Sequence, residues 1–261
     1  MAYERSPAYQ PGQKTPYRVS RSKIDLFIQC PRCFWLGARL KIKRPSSPPF
    51  RINSAIDELY KKEFDVHRKN QTTHPICDTY KLKLVPFKHE KMDEWRDALR
   101  RGVTHLHEPT NLMVTGGVDD VWVDLSTNEL VVVDYKATAK NGEVSLDAGW
   151  QDGYKRQIEV YQWLFRANGF KVKDSGYFVY TNARLDADGF GDKLEFKTKL
   201  IEYKGSDSWV EGILKKMKTC LESDEIPQVG KNVMNPSAPC EFCDYARTRT
   251  QLTIDSLQKK N

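Results

Sequence analysis

The stretch Leu130-Val131-Val132-Val133-Asp134-Tyr135-Lys136-Ala137 narrows the choice of fold more than any other part of the chain. Successive valines favour extended backbone, and a run apolar on both faces belongs in a central strand covered from both sides. Ionisable residues follow at its end. Side chains alternate along a strand, so Asp134 and Lys136 share one face and Tyr135 takes the other. A carboxylate beside an ammonium at the rim of a core is either a structural ion pair or a seat for a divalent cation and the anion that the cation attracts.

Upstream, Leu112 to Asp124 reads as a strand carrying Gly116-Gly117 and the acids Asp119 and Asp120. The polar turn Ser126-Thr127-Asn128 joins it to the valine strand, which requires an antiparallel hairpin. A connecting loop of two or four residues sets Asp119 opposite Asp134 with Cβ atoms about 5 Å apart, whereas a loop of three sets Asp120 there. Either way two carboxylates meet, and a bound cation is the economical way to hold them together. The glycine pair marks a bend in the strand or a close approach of backbone or substrate.

Helical periodicity surrounds this hairpin. A serine-capped helix starts at Ser20 and runs into the first cysteine pair. Residues 53–68 form a helix with Ile52, Ile56, Leu59, Tyr60 and Phe64 on one face. Asp57 lies at the edge of that face, Glu58 points away and Glu63 falls within it. Residues 150–168 form another, on which Gln157 and Tyr161 are neighbours, with Lys155 and Arg156 beside them. Strands follow at 176–180 and 194–203, then a helix at 209–221. Between 71 and 110 the patterns are sparser, with a strand at 80–84 and a helical piece at 91–101.

Six cysteines include two CxxC pairs, Cys30/Cys33 and Cys240/Cys243, while Cys77 and Cys220 suit small buried sites. No apolar run approaches the roughly 20 residues that span a bilayer, and the first residues lack the apolar segment of a signal peptide. The expected location is therefore the cytoplasm, where paired cysteines bind metal more often than they form disulfides. A net charge of +7 favours a polyanionic partner. The expected organisation is a flexible leader at 1–17, one domain at 18–250 and a tail at 251–261. No GxxxxGK phosphate loop is present, so no ATPase motor is expected in this chain.

The ordered set Gly117-x-Asp119, Asp134-Tyr135-Lys136 and Gln157-x-x-x-Tyr161 resembles the RecB-type branch of the PD-(D/E)XK nuclease superfamily. Ser22 through Cys30-Pro31-Arg32, with the late Cys240-x-x-Cys243, is similar to its cysteine-bearing members, the AddB nuclease domain and the CRISPR-associated adaptation nucleases. The resemblance implies an α/β, restriction-endonuclease-like fold, a mixed central sheet flanked by helices, with a tetracysteine site joining the N- and C-terminal segments. It implies an enzyme, a metal-dependent deoxyribonuclease of DNA repair, recombination or nucleic-acid processing, and it selects Asp119 over Asp120.

Asp119 and Asp134 would hold Mg²⁺ or Mn²⁺, with the Tyr135 carbonyl as a further ligand. Lys136 would position or activate water, and Gln157 and Tyr161 would support the site. The family's glycine and histidine on the first core helix are Asn53 and Asp57 here, so the ligand on that helix is Asp57, Glu58 or Glu63. The two CxxC pairs form a tetrathiolate for Zn²⁺ or a [4Fe-4S] cluster. Lys155, Arg156, Arg39, Lys41, Lys43 and Arg44 would contact phosphates of single-stranded DNA or duplex ends. A helicase or repair partner would act in trans. The alternative is a non-catalytic nucleic-acid-binding module on the same fold.

Overall fold

The computed structural model describes residues 7–46, 48 and 50–259. Contacts divide the expected single domain into two compact units, one built from residues 1–47, 106–113 and 211–261, the other from 48–105 and 114–210.

The second unit holds a five-stranded mixed sheet flanked by helices. Its strands are β2 (Leu84–Pro86), β5 (Asp120–Asp124), β6 (Leu130–Thr138), β7 (Ser175–Ala183) and β8 (Phe196–Lys204), in that spatial order. β6 and β7 are parallel, with Asp134 beside Phe178 and Lys136 beside Tyr180, while the other neighbours are antiparallel. A parallel pair needs a crossover, and α6 (Asp152–Ala167) supplies it. The valine run is thus central, and Val131, Val132 and Val133 are all fully buried. Val131, Val133 and Tyr135 pack with Phe64 of α3 (Arg51–Asn70) and with Trp122, Tyr177 and Val179. The opposite face meets α6 so closely that a Cβ on Gly176 would lie 2.6 Å from Ile158 and 2.9 Å from the Val132 carbonyl oxygen.

Several expectations shift. The long strand at 112–124 is broken into β4 (Leu112–Gly116) and β5, because Gly117 presses against Ala98, whose Cβ would be 2.3 Å from any Cβ placed there. Ile52 and Leu59 are exposed, and the inward face of α3 is Tyr60, Phe64 and Arg68. Glu63 also faces outward and pairs with His74 Nε2 at 2.8 Å. The helical piece at 91–101 is only the short α5 (Met92–Arg96), and α4 (Pro75–Thr79) precedes β2 where residues 80–84 read as a strand.

The first unit contains β1 (Tyr17–Ser20), α1 (Arg21–Gln29), α2 (Pro31–Arg39), α7 (Val210–Glu222) and α8 (Glu241–Gln258). Ser20 caps α1 by accepting from the Lys23 N–H. The expected leader is ordered from Pro7 onward, and its residues 1–6 lie outside the described residues. Tyr9 is buried, its hydroxyl donating to Glu222 at 2.5 Å and accepting from Lys218 at 2.6 Å. The expected tail continues α8 to Gln258. Among the described residues no helix is long and apolar enough to cross a membrane.

Asp120 fixes the register of the hairpin. It is fully buried, its Oδ1 accepting from Arg68 at 2.5 Å and from the Val121 N–H, its Oδ2 from Tyr135 Oη at 2.7 Å and from Trp122 Nε1. Arg96 completes the ion network at 3.2 Å. Asp120→Ala leaves two buried guanidinium groups with only the half-exposed Asp65 for a carboxylate and is expected to cost about 3–5 kcal/mol in urea denaturation. A loss under about 1 kcal/mol would show that the hairpin is held by packing instead.

Candidate active site and tetracysteine centre

The hairpin closes through the Asp124 N–H and the Glu129 carbonyl at 3.0 Å, leaving a four-residue loop in which Asn128 takes the left-handed conformation. Asp120 therefore pairs with Val133, and one step further Asp119 stands opposite Asp134. Asp119 Oδ2 accepts from the Tyr135 N–H at 2.9 Å, and its carbonyl accepts from Arg96 Nε at 3.1 Å. The buried arginine network thus holds both the strand and the backbone of Asp119.

Asp134 is fully buried and ion-paired with Lys136. No hydrogen-bond donor among the described residues meets its Oδ1. Lys136 Nζ also lies 3.5 Å from Gln157 Oε1 and 4.5 Å from the centre of the Tyr154 ring. Gln157 Nε2 in turn donates to Tyr161 Oη at 3.3 Å. The Tyr161 ring occupies the space that a Cβ on Gly116 would need, 2.4 Å away. The glycine pair therefore serves two close approaches, one to a backbone and one to a ring of the site.

The charges here are strained in a consistent direction. Burial, followed by the nearby Asp134, pushes the Asp119 carboxyl up to about 7. Burial opposes the Lys136 charge, but Asp134 and then Asp119 hold it above the ordinary ammonium range. On α3, burial and then Asp119 raise Asp57, against the pull of Lys61 at 2.6 Å. Asp57 lines a cavity of about 210 Å³ with Asn53, Tyr135, Lys136 and Tyr154. Glu58 is exposed and Glu63 is engaged by His74, so neither rival shares this cavity.

A buried carboxylate with an unmet oxygen, opposite a second carboxylate that resists ionisation, fits a hard divalent cation by the chemistry of its donors. Sequence reasoning missed Tyr154 and Lys61. Both stand at helical spacing from residues already singled out, three before Gln157 and four after Asp57.

The expected phosphate contacts are only partly available. Arg39 is turned inward, donating to the Leu221 and Ser223 carbonyls and pairing with Asp224 at 2.7 Å, so it braces the fold. Arg44 donates to Gln29 and to Cys240 Sγ, and Lys41 to the Pro7 carbonyl. Lys155 pairs with Asp152 at 3.2 Å, Arg156 is half-buried and Lys43 is exposed.

The four cysteines come together, all ligand atoms within 4.8 Å of one another, and no other set of three or more His, Cys, Asp or Glu side chains among the described residues gathers this way. Cys30 and Cys240 cap α2 and α8, and Cys33 and Cys243 lie in the first turns, where helix N-termini favour thiolates. The Gly230 and Cys33 amides donate to Cys30 Sγ at 3.2 and 3.5 Å. A Cβ on Gly230 would fall 2.0 Å from the Gln29 carbonyl oxygen, a requirement that the spacing of cysteines did not reveal. Sulfur separations are 3.4 Å for Cys33–Cys243 and 3.7 Å for both Cys30–Cys243 and Cys33–Cys240. A single ion bonded at about 2.3 Å to four tetrahedral sulfurs sets them about 3.8 Å apart. A cubane, whose four irons each take one thiolate, holds them farther apart. The thiolate set fits one tetrahedral ion.

The family model described as the PD-(D/E)XK nuclease superfamily matches residues 52–248. No curated protein matches the chain.

The raised carboxyls carry a pH signature. With its folded value near 7 and an unfolded value of about 3.9, Asp119 contributes stability that is complete below about pH 4 and is lost as pH rises through about 7. Asp57 acts in the same direction. Without added divalent cation, the melting temperature is expected to fall from about pH 5 to about pH 8. Asp119→Asn should flatten that fall, and an unchanged slope in this variant would refute the assignment.

Proposed function

The chain belongs to the PD-(D/E)XK nuclease superfamily, and we propose that it is a divalent-metal-dependent deoxyribonuclease whose site is built on Asp119, Asp134 and Lys136. The observation that carries this reading is the buried Asp134 with its unmet oxygen, standing opposite Asp119 and paired with Lys136. The order of Gly117-x-Asp119, Asp134-Tyr135-Lys136 and Gln157-x-x-x-Tyr161 supports the RecB-type branch.

Asp119 and Asp134 would hold Mg²⁺ or Mn²⁺, with the Tyr135 carbonyl and Asp57 as further oxygen donors. When bound, such an ion neutralises charge at the scissile phosphate and makes its water more acidic. Lys136 brings a positive charge to the phosphate, and its ammonium is kept in place by Gln157 Oε1 and the Tyr154 ring. Tyr161 orients Gln157 and thereby acts at one remove from the chemistry. Lys155 and Arg156, on the turn that precedes Gln157, supply cations for the DNA backbone.

At the four cysteines the sulfur spacing supports Zn²⁺ over an iron-sulfur cluster. Purified protein is expected to contain one zinc per chain, lost in Cys33→Ser. Stoichiometric iron with a visible absorption band would overturn that choice.

Plasmid and single-stranded DNA incubated with Mg²⁺ or Mn²⁺ should be cut, and a chelator should stop the reaction. Asp134→Ala and Lys136→Ala should each lose at least about a hundredfold, since single electrostatic groups at a reacting centre are worth about 10²–10³. Retained cleavage in folded Asp134→Ala would sink the assignment. The pairing of Asp57 with Lys61 favours a second reading, a module that binds DNA without cutting it, and binding with no cleavage under any of these ions would select it.

A further inference from the structure

Beside the tetracysteine centre, within the first unit, lies a groove of about 880 Å³, in the size range of ligand clefts. One wall comes from α2 and residues 42–45, the other from the first half of α8. Five cations line it, Arg32, Lys43, Arg44, Arg247 and Arg249, against one acid, Glu241. The floor is apolar and partly aromatic. Arg44 lies 4.6 Å over the Phe242 ring, Ile42 is 58% exposed and Tyr245 is 71% exposed. α8 runs for 18 residues and fully buries none of them: Phe242 and Cys243 pack against the cysteine cluster, while Tyr245 and Arg249 stay exposed on the groove.

The cations fall into two sets. Arg32 and Arg44 are anchored by the Pro227 carbonyl and by Gln29 and Cys240, and Arg247 pairs with Asp244. Lys43 and Arg249 are exposed and make no ion pair among the described residues. On α1, burial lowers Lys23 to about 8, and the charges of Lys41, Lys43 and Arg18 add to that shift.

We propose that this groove binds a segment of single-stranded DNA, with bases stacked against Tyr245 and Phe242 and phosphates met by Lys43, Arg249 and the anchored arginines. An apolar, aromatic floor under a cationic rim suits a strand whose bases are unpaired. An acidic peptide would use the rim but has no need of the exposed tyrosine. The choice of nucleic acid as ligand rests on the nuclease reading, whereas the groove and its charge do not.

Binding of a fluorescein-labelled oligothymidylate is measured by anisotropy at several salt concentrations, in the Asp134→Ala background so that the probe is not cut. Lys43→Ala with Arg249→Ala should weaken binding at least about tenfold and make the salt slope shallower by about 0.7 per cation removed. Tyr245→Ala should weaken it about 5- to 150-fold, the range for one stacked base. All three side chains are exposed, and unchanged melting and zinc content verify that the variants are folded. Lys216→Ala, an exposed lysine of α7, serves as the control and should change neither quantity. Unaltered affinity and slope in the groove variants would overturn the proposal. So would displacement of the probe by polyglutamate at equal charge together with no effect of Tyr245→Ala, the mark of a general anion surface. If the parent chain never cuts DNA, the binding assay still reads the groove. If it cuts and the groove variants bind normally, only the groove proposal fails.

Discussion

The ion network of Arg68, Asp120 and Arg96 is the constraint on which the candidate active site depends. Side chains alternate along a strand, so a shift of one residue would exchange Asp119 and Asp120 between the two faces. Hydrophobic patterning alone is a weak guard against that slip here, because Val121 and Trp122 are both fully buried. Asp120 supplies the specificity, since its Oδ1 is met by Arg68 of α3 and its Oδ2 by the Tyr135 hydroxyl of the neighbouring strand, donors that the other face does not offer. Removing a carboxylate from such partners costs more than its pairing contributes, which makes the wrong register expensive.

With the register held, the neighbouring carboxylate is free to be uncomfortable. Asp119 sits against Asp134 and resists ionisation, while Asp134 is buried with one unmet oxygen. Lys136 offsets part of this by pairing with Asp134, and Lys61 does the same for Asp57. Well-satisfied and poorly satisfied carboxylates are thus adjacent in sequence and opposite in role. A divalent cation at this pair would remove the conflict that the protein alone leaves in place, and the stability so gained would favour the bound form.

The legible parts of the chain were those governed by period and charge. The valine run, the shared face of Asp134 and Lys136, the Ser20 cap and the pairing of two CxxC units all follow from local rules. What escaped was set by tertiary contact. Gly117 reads equally as a bend or a close approach of backbone or substrate, and only the contact with Ala98 decides that the strand breaks there. Ile52 and Leu59 fit a helical stripe, yet the face of α3 that meets the sheet is the adjacent one, through Asn53, Tyr60 and Phe64. Arg39 looks like a phosphate ligand by charge, but the carbonyls at the end of α7 claim it first. Tyr9 looked like part of a leader because its partners, Lys218 and Glu222, lie more than two hundred residues away.

That distance also explains the tetracysteine centre. The first unit is interrupted by the second, so its N- and C-terminal segments must find each other across a long intervening chain. Cys33 and Cys240 are 207 residues apart, and cross-linking across such a loop removes about 5 kcal/mol of chain entropy from the unfolded state by the loop-closure relation. A metal ion held by the four sulfurs would supply that link at the helix starts of α2 and α8. The same two helix starts carry the walls of the basic groove, and Arg44 joins them by donating to Cys240 while lying over Phe242. An ion closing the unit there would also set the groove's geometry, so the proposed binding surface would depend on a centre that lies outside the candidate active site.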